Sequence, residues 1–330
     1  MNQTLHRLAT IAAIVAFCVI VLGAWVRLSH AGLGCPDWPG CYGQLTWPDA
    51  VHEIESANQA FPERPFESNK AWREMVHRYL AGTLMLLVFA MTWISWRQPR
   101  PNNNLKLLTT TLMVLIIFQA LLGMWTVTLK LKPIIVMAHL LGGMASFSLI
   151  LWLMFSSRWK FGDKPNIKIR KMRGPIITAI TVLAIQISLG GWTSANYAAL
   201  ACTDFPMCNG QWWPQANFGE GFILWREIGV NYEGGLLDQA SRVAIHLAHR
   251  IGAIVTLITL VTLAFRLFKI PRLRSGGRLL LTLVLTQFTL GVLNVMMFLP
   301  LPNAVAHNAV AALLLATLLT LLNKTSTRSY

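Results

Sequence analysis

Residues 73–96 read REMVHRYLAGTLMLLVFAMTWISW, and the last eighteen of them include no charged side chain. An α-helix rises about 1.5 Å per residue, so such a run crosses the roughly 30 Å of hydrocarbon in a bilayer. Seven further apolar runs of comparable length cover residues 8–28, 107–128, 134–157, 175–195, 243–265, 279–299 and 303–323. None alternates polar and apolar residues as a membrane β-strand does. The sequence therefore predicts an all-α polytopic membrane protein with eight transmembrane helices.

Composition and charge agree with this class. Of 330 residues, 55% are hydrophobic and only 12% are charged, which excludes a water-soluble globule. With eight spans drawn, the side that holds both termini carries eighteen Lys and Arg and one acid, Asp163, whereas the other side carries ten basic and twelve acidic residues. The positive-inside bias makes the basic side cytoplasmic. We expect membrane lipid as a partner and no nucleic acid, because the basic residues occupy short loops without interleaved aromatic side chains.

Two long loops, residues 30–72 and 196–241, face outward in this topology and contain four of the five cysteines. Each cysteine pair encloses five residues with a proline, and the outward loops lie in an oxidising compartment. The sequence therefore predicts two structural disulfides, Cys35–Cys41 and Cys202–Cys208. Redox exchange stays open as an alternative role, although neither pair has the CxxC spacing of a redox motif.

The second half of the chain repeats the first. The pair His77-Arg78 matches His249-Arg250 at a shift of 172 residues. At shifts of 167 or 168, Trp25 matches Trp192, Cys35 matches Cys202, Cys41 matches Cys208, Gln44 matches Gln211, Gln119 matches Gln287, Gly123 matches Gly291 and His139 matches His307. We interpret residues 1–157 as an N-terminal four-helix half, 158–174 as a cytoplasmic linker and 175–330 as a C-terminal half. An even number of spans per half predicts two pseudo-symmetric four-helix bundles related by an axis along the membrane normal.

Four histidines lie at matched depth, a few residues inside the outer ends of the even-numbered spans. They are His77, His139, His249 and His307. An ionisable side chain inside a bilayer is costly, which favours a functional role. Two helices of one half that face each other would present imidazoles from opposite sides of one plane, an arrangement typical of bis-histidine heme ligation. We therefore expect these residues to ligate heme iron, although a lone intramembrane histidine can simply bond to a neighbouring helix.

Other residues near these histidines leave alternatives open. Zinc is less favoured than heme, because two imidazoles per half are few ligands for Zn²⁺. His246 shares a helix face with His249 and competes with it as a ligand, but only His249 belongs to the repeat. Arg78 and Arg250 lie near the outer boundary, where a guanidinium bonds either a heme propionate or the lipid headgroups.

Glu74 breaks the repeat. It precedes His77 by three residues on one helical face, at a position where the second half has His246. A glutamate there is either solvated, or paired with Arg73 or Arg78, or held beside a bound porphyrin. In the last case its carboxylate takes a proton or stabilises positive charge on the substrate. The first half is then the reactive site, and the second half holds a permanent heme that relays electrons.

Together these residues resemble heme A synthase. The resemblance covers nearly the whole chain and rests on Glu74-Met-Val-His77-Arg78, Cys35 and Cys41, Ala138-His139, His249-Arg250 and Ala306-His307. It implies an enzyme of the bacterial inner membrane that oxidises the C8 methyl group of heme O to the formyl group of heme A, by successive hydroxylations, for cytochrome c oxidase.

The same resemblance implies roles for single residues. His77 and His139 would flank the substrate heme O, and Glu74 would be the catalytic carboxylate. His249 and His307 would ligate a resident heme b. The partners implied are heme O, the enzyme that makes it and an electron acceptor, and assembly into a homo-oligomer stays open.

Three other functions compete with this one. A di-heme b-type electron carrier without substrate turnover would use the same histidines, but it leaves Glu74 unexplained. A thiol–disulfide oxidoreductase would use the cysteines and leaves the matched histidines unexplained. A heme chaperone or exporter is the weakest alternative, because the sequence contains no nucleotide-binding motif.

Overall fold

The computed structural model describes residues 3–98, 102–158 and 167–325. Within these ranges the chain is helical and has no strand, apart from isolated bridges between Cys41 and Gln44 and between Cys208 and Gln211. The helices are α1 (Gln3–Leu28), α2 (Val51–Ala60), α3 (Ser68–Trp96), α4 (Asn103–Thr128), α5 (Pro133–Arg158), α6 (Ile167–Lys171), α7 (Arg173–Ala195), α8 (Phe218–Gly221), α9 (Gln239–Phe268), α10 (Arg274–Met296) and α11 (Leu301–Lys324).

Eight segments of the described chain are long and apolar enough to cross a membrane. They are α1, α3, α4, α5, α7 with the short α6 before it, α9, α10 and α11. The prediction of eight spans is thus confirmed, and the protein is a multi-pass α-helical membrane protein. Within the predicted linker, residues 158–174, the structure shows α6 and the start of α7, whereas residues 159–166 lie outside the described ranges.

Several long helices begin before the apolar runs that predicted them. α3 begins at Ser68 rather than at residue 73, and α9 begins at Gln239 rather than at 243, because their first turns are polar. Asp238 caps α9 by accepting a hydrogen bond from the Ser241 amide at 2.8 Å. Such caps define helix ends that a count of apolar residues does not detect.

The long helices pack as two groups of four. In the first group α1 packs against α3 and α5, and α4 lies between α3 and α5. In the second group α7 packs against α9 and α11, and α10 lies between α9 and α11. The groups meet where α1 packs on α11, α7 on α5, and α5 on α11. If α1 is exchanged with α7 and α5 with α11, the α1–α11 contact becomes the α7–α5 contact and the α5–α11 contact is unchanged. This pattern is consistent with pseudo-two-fold symmetry.

The backbone of the two halves repeats in its turns. All eight non-glycine residues of the described chain with positive φ fall into four pairs separated by 167 or 168 residues. The pairs are His30 with Tyr197, Tyr42 with Asn209, Lys130 with Phe298 and Leu131 with Leu299, with φ between 47° and 62°. Residues other than glycine rarely adopt this region, so its recurrence at matched positions supports the duplication.

A continuous apolar core joins the two groups of helices at one end. It includes Leu5 of α1, Ile150 of α5, Leu183 of α7 and Leu318 of α11, all nearly inaccessible. The opposite end carries the two disulfide loops, and we call it the loop end. The four candidate histidines lie outside this core, toward the loop end. The apolar core and the region that holds polar side chains therefore lie at opposite ends of the helices.

Candidate functional site

Each candidate histidine packs against a glycine of the preceding long helix. In the first half, a Cβ atom built on Gly23 would lie 2.9 Å from His77 Cε1, and one built on Gly123 would lie 3.5 Å from His139 Cε1. In the second half, a Cβ atom on Gly190 would lie 3.1 Å from His249 Cε1, and one on Gly291 would lie 3.2 Å from His307 Cε1. The four rings therefore point at neighbouring helices of their own half, not at lipid. The repeat revealed Gly123 and Gly291, but it also relates Gly23 to Gly190 at a shift of 167, a match that the sequence comparison missed.

The histidines form two couples, one in each half. His77 lies within electrostatic range of His139, and His249 lies within the same range of His307 and of His246. The Nδ1 atoms of His77, His139 and His307 are buried without a hydrogen-bond partner among the described residues. A buried imidazole that lacks a partner for a ring nitrogen is suited to a metal ion, so these three histidines fit the chemistry of iron ligands.

Zinc receives no support from the described part of the chain. No three His, Cys, Asp or Glu side chains gather there as a tetrahedral ion would require. Each of the four histidines is only partly buried, so part of its surface is free of contact with protein atoms.

Two glutamine side chains contact the histidines of the second half. Gln186 brings its Nε2 atom to 3.0 Å from His249 Nδ1 and donates to the His249 carbonyl at 3.1 Å. Gln287 brings its Nε2 atom to 3.1 Å from His307 Nε2. Gln119, the counterpart of Gln287, lies against Gly142 in the first half, where its Nε2 has no partner among the described residues.

Gln186 marks a difference between the halves that sequence reasoning missed. Its amide lies against Gly252, where a Cβ atom would collide with it. At the equivalent positions, by shifts of 167 and 172, the first half has Val19 and Leu80. The second half thus has an amide beside its α9 histidine where the first half has two apolar side chains. Comparison of the repeats position by position could have found this exchange.

Glu74 is buried, with 4% of its surface exposed. Its Oε2 accepts a hydrogen bond from the Cys35 amide at 3.0 Å, and its Oε1 lies 2.5 Å from the Arg78 guanidinium. Of the alternatives for this residue, solvation is wrong and pairing with Arg78 is what the structure shows. Arg73 instead lies over the Trp25 ring, 5.0 Å from its centroid.

The second half has no carboxylate at this position. His246 is buried there, and its Nδ1 lies 3.0 Å from the Ala198 carbonyl oxygen. His246 is therefore engaged with backbone, although it also lies within electrostatic range of His249. The carboxylate of Glu74 is a property of the first half alone.

Arg78 and Arg250 fix the two disulfide loops. Arg78 donates to the carbonyls of Asp37 and Pro39 at 3.0 and 3.2 Å and also to that of Gly40. Arg250 donates to the carbonyls of Met207 and Asp204 at 2.7 and 2.8 Å. Their guanidiniums thus bind loop backbone and do not extend toward headgroups, while the Nε of Arg250 remains without a partner in the described chain.

Both predicted disulfides are present, with S–S distances of 2.03 Å for Cys35–Cys41 and 2.02 Å for Cys202–Cys208. Within each loop an aspartate accepts two backbone hydrogen bonds, Asp37 from Tyr42 and Gly43, and Asp204 from Asn209 and Gly210. The amides that donate to Asp204 hold its pKa below the usual range. Burial raises the pKa of Tyr42 to about 12.

Comparison with known proteins identifies relatives along the whole chain. The family model COX15-CtaA, described as cytochrome oxidase assembly protein, matches residues 6–319. A protein of Shewanella oneidensis named heme A synthase is 45% identical over 95% of this chain and 94% of its own length. Heme A synthases of Halalkalibacterium halodurans and Caulobacter vibrioides are 26% and 27% identical over 96% and 93% of this chain, and over 96% and 91% of their own lengths. The chain therefore belongs to the heme A synthase family of cytochrome oxidase assembly proteins.

Proposed function

We propose that the protein is a heme A synthase, which oxidises the C8 methyl group of heme O to a formyl group by successive hydroxylations and so supplies heme A to cytochrome c oxidase. The similarity to a heme A synthase at 45% identity over 95% of the chain carries this proposal. Two couples of histidines in unequal halves support it, because a substrate heme and a resident heme need separate sites.

The roles of the histidines follow the asymmetry of the halves. His77 and His139 flank the substrate heme O in the N-terminal half, residues 1–157. His249 and His307 ligate a resident heme b in the C-terminal half, residues 175–330, where Gln186 contacts His249 at 3.0 Å. A contact from a neighbouring side chain fixes the orientation of a ligating imidazole, which suits a heme that stays bound. When bound, this heme supplies one-electron transfer.

Glu74 provides the negative charge of the reactive site. The Cys35 amide and Arg78 hold its two oxygens in fixed positions one helical turn from His77. Loss of electrons from the methyl-bearing edge of the substrate creates positive charge, which a fixed carboxylate stabilises without reorganising. The same carboxylate accepts a proton released from the substrate carbon. Arg78 and Arg250 stay candidates for contact with heme propionates, since both lie beneath the disulfide loops.

We infer that this chemistry lies near the outer face of the bacterial inner membrane, with both termini in the cytoplasm. The segregation of eighteen basic residues and one acid to the side of the termini supports this orientation. Heme O, the enzyme that makes it and an electron acceptor are the partners, and a homo-oligomer is compatible with the fold.

The test is to purify the protein from cells that make heme O, extract its hemes and identify them by mass. We expect heme b from every variant, and heme A or a hydroxylated intermediate from the wild type but not from Glu74→Ala or His77→Ala. His52→Ala and Glu67→Ala are matched controls, because these side chains lie on the surface outside the bundles. Heme b alone from the wild type would contradict the proposal.

That outcome would instead favour a di-heme electron carrier. The ion pair between Glu74 and Arg78 is the observation that supports this second candidate, since it gives the carboxylate a structural role. The two candidates differ in whether Glu74→Ala changes the extracted hemes.

A further inference from the structure

Lys132 is a buried cation that forms no ion pair with any residue of the described chain. It lies immediately before α5 begins at Pro133, and only 1% of its surface is exposed. Its Nζ has no hydrogen-bond partner among the described residues. The ring of Trp225 lies over it, with 3.6 Å between Nζ and the ring centroid. A cation–π contact replaces only part of the hydration that a buried ammonium loses, so this site favours an added negative charge.

The loop that covers Lys132 does not supply that charge. This loop belongs to the second half and is anchored over the first, where the Tyr232 amide donates to the Lys130 carbonyl at 3.0 Å. None of its acidic residues pairs with Lys132 among the described residues, and Glu227, two residues from Trp225, makes no ion pair there. Glu233 pairs with Arg64 at 3.1 Å, and Glu220 pairs with Arg226 at 2.8 Å.

Lys132 is placed above the histidine couple of the first half. Its carbonyl accepts the first hydrogen bonds of α5, from the Ile135 and Val136 amides, and it precedes His139 by seven residues, so its backbone lies about 10 Å nearer the loop end. The free amides at the start of α5 add positive potential at this point. The equivalent position of the second half, at a shift of 168, is Pro300, so the buried ammonium occurs in one half only.

We propose that Lys132 is the cationic partner of a carboxylate on the ligand of the N-terminal site, namely a propionate of the porphyrin. Trp225 covers the pair: its ring is 66% exposed on the outside and rests on Lys132 on the inside. The proposal rests on the proposed function, in which His77 and His139 flank heme O. It adds a charge contact that distinguishes this half from the one with the resident heme.

Binding of two synthetic ligands to the full-length protein tests this contact. Protein is purified from cells that make heme b but no heme O, and is titrated by absorbance with hemin or with hemin dimethyl ester, whose propionates carry no charge. The measured quantity is the ratio of the two dissociation constants. We expect the wild type to prefer hemin and Lys132→Met to lose this preference by roughly tenfold, the effect of one charged hydrogen bond. Lys132→Arg keeps the charge and should restore most of the preference.

Two controls make the result specific. Lys130→Met removes the same charge from an exposed side chain two residues away and should leave the ratio unchanged. Trp225→Leu changes a largely exposed residue, and it should reduce the ratio because water then reaches Lys132. If Lys132→Met does not accumulate in cells, Trp225→Leu provides the test of the proposal in its place.

One outcome overturns the proposal: an unchanged ratio in both Lys132→Met and Trp225→Leu, whether or not hemin and its ester are weakened together. Failure of the proposed function itself has a different signature, because His77→Ala would then leave hemin binding intact.

Discussion

At the scale of single residues, the glycines opposite the histidines are as informative as the histidines. Gly190 leaves room for the His249 ring, and Gly23 does the same for His77. Each ring fits only because the facing helix lacks a side chain there. This arrangement keeps an imidazole inside a bundle of closely packed helices.

We predict that Gly190→Ala will weaken binding of the heme that we propose at His249 and His307. The added Cβ would lie 3.1 Å from His249 Cε1, so the ring has to shift away from its present position. Overpacking of this kind costs roughly 1–3 kcal/mol, which corresponds to about tenfold weaker binding. Heme content after purification measures the effect. Gly82→Ala is the control, because a Cβ there meets nothing within 4 Å, and loss of heme from that variant too would contradict the explanation.

A second prediction concerns Gln186. Replacing it with valine, the residue at the equivalent position 19, removes the contact at His249 Nδ1. Losing a residue that orients a ligating histidine typically weakens binding about 10–100-fold. We therefore expect heme b to transfer from Gln186→Val to an apo acceptor protein at least several times faster than from wild type. Equal rates would show that Gln186 does not position the ligand.

Sequence reasoning singled out the four histidines and Glu74 as candidates because each stands out against an apolar background or breaks a repeat. It missed Gln186 and Lys132 for a physical reason. Lys132 lies at a membrane boundary, where polar residues are common, and only the structure shows that Trp225 buries it. Gln186 lies in mid-span, but only the structure shows that Gly252 makes room for it and that it contacts His249.

At the scale of elements, each disulfide loop is held by an arginine from the helix below and by an aspartate within the loop. Arg250 and Asp204 have these roles in the second half, and Arg78 and Asp37 have them in the first. Hydrogen bonds therefore connect each loop directly to a histidine-bearing helix. We expect a substitution in a loop to alter the position or stability of that helix.

This construction predicts a pH dependence. The pKa of Asp204 is lower in the folded protein than its ordinary value of about 3.9, so its stabilising contribution is complete above that pH and disappears as the pH falls through the lower folded pKa. We expect Asp204→Asn to lower the melting temperature at pH 7, and the difference from wild type to shrink as the pH falls below about 4. Glu55→Gln, at an exposed position on α2, should melt like wild type at both pH values. A difference that persists unchanged in acid would argue against the aspartate as its source.

The helices themselves could be predicted well, because eighteen or more apolar residues have few alternatives in a membrane. Their ends could not. α9 begins four residues early because Asp238 caps it, and α10 ends at Met296 because Phe298 and Leu299 reverse the sign of φ. Local hydrogen bonding and backbone conformation determine such ends, and hydropathy does not record either.

At the scale of the whole molecule, the two halves touch through an extensive apolar face. Gly191 of α7 packs against Leu140 and Met137 of α5, and the core at the opposite end from the disulfide loops continues from one half into the other. Such contacts should hold the halves together without a covalent connection.

We therefore predict that a chain divided between residues 162 and 163 will reassemble when both parts are made in one cell. Affinity purification through a tag on the N-terminal part should recover the C-terminal part together with its heme. Gly191→Leu should abolish this recovery, because a Cβ at that position already lies 2.8 Å from Leu140. Gly174→Leu is the matched control, since open space surrounds that position. Parts that never co-purify would show that the halves depend on the linker.

The paired difference at Gln186 and Gly252 also bears on the duplication. Leucine at 252 beside an unchanged Gln186 would drive a side chain into the amide, and valine at 186 beside an unchanged Gly252 would leave a gap and a bare ring nitrogen. Either single exchange therefore spoils this contact, so neither half of the duplication can take on the other's arrangement here unless both positions change together.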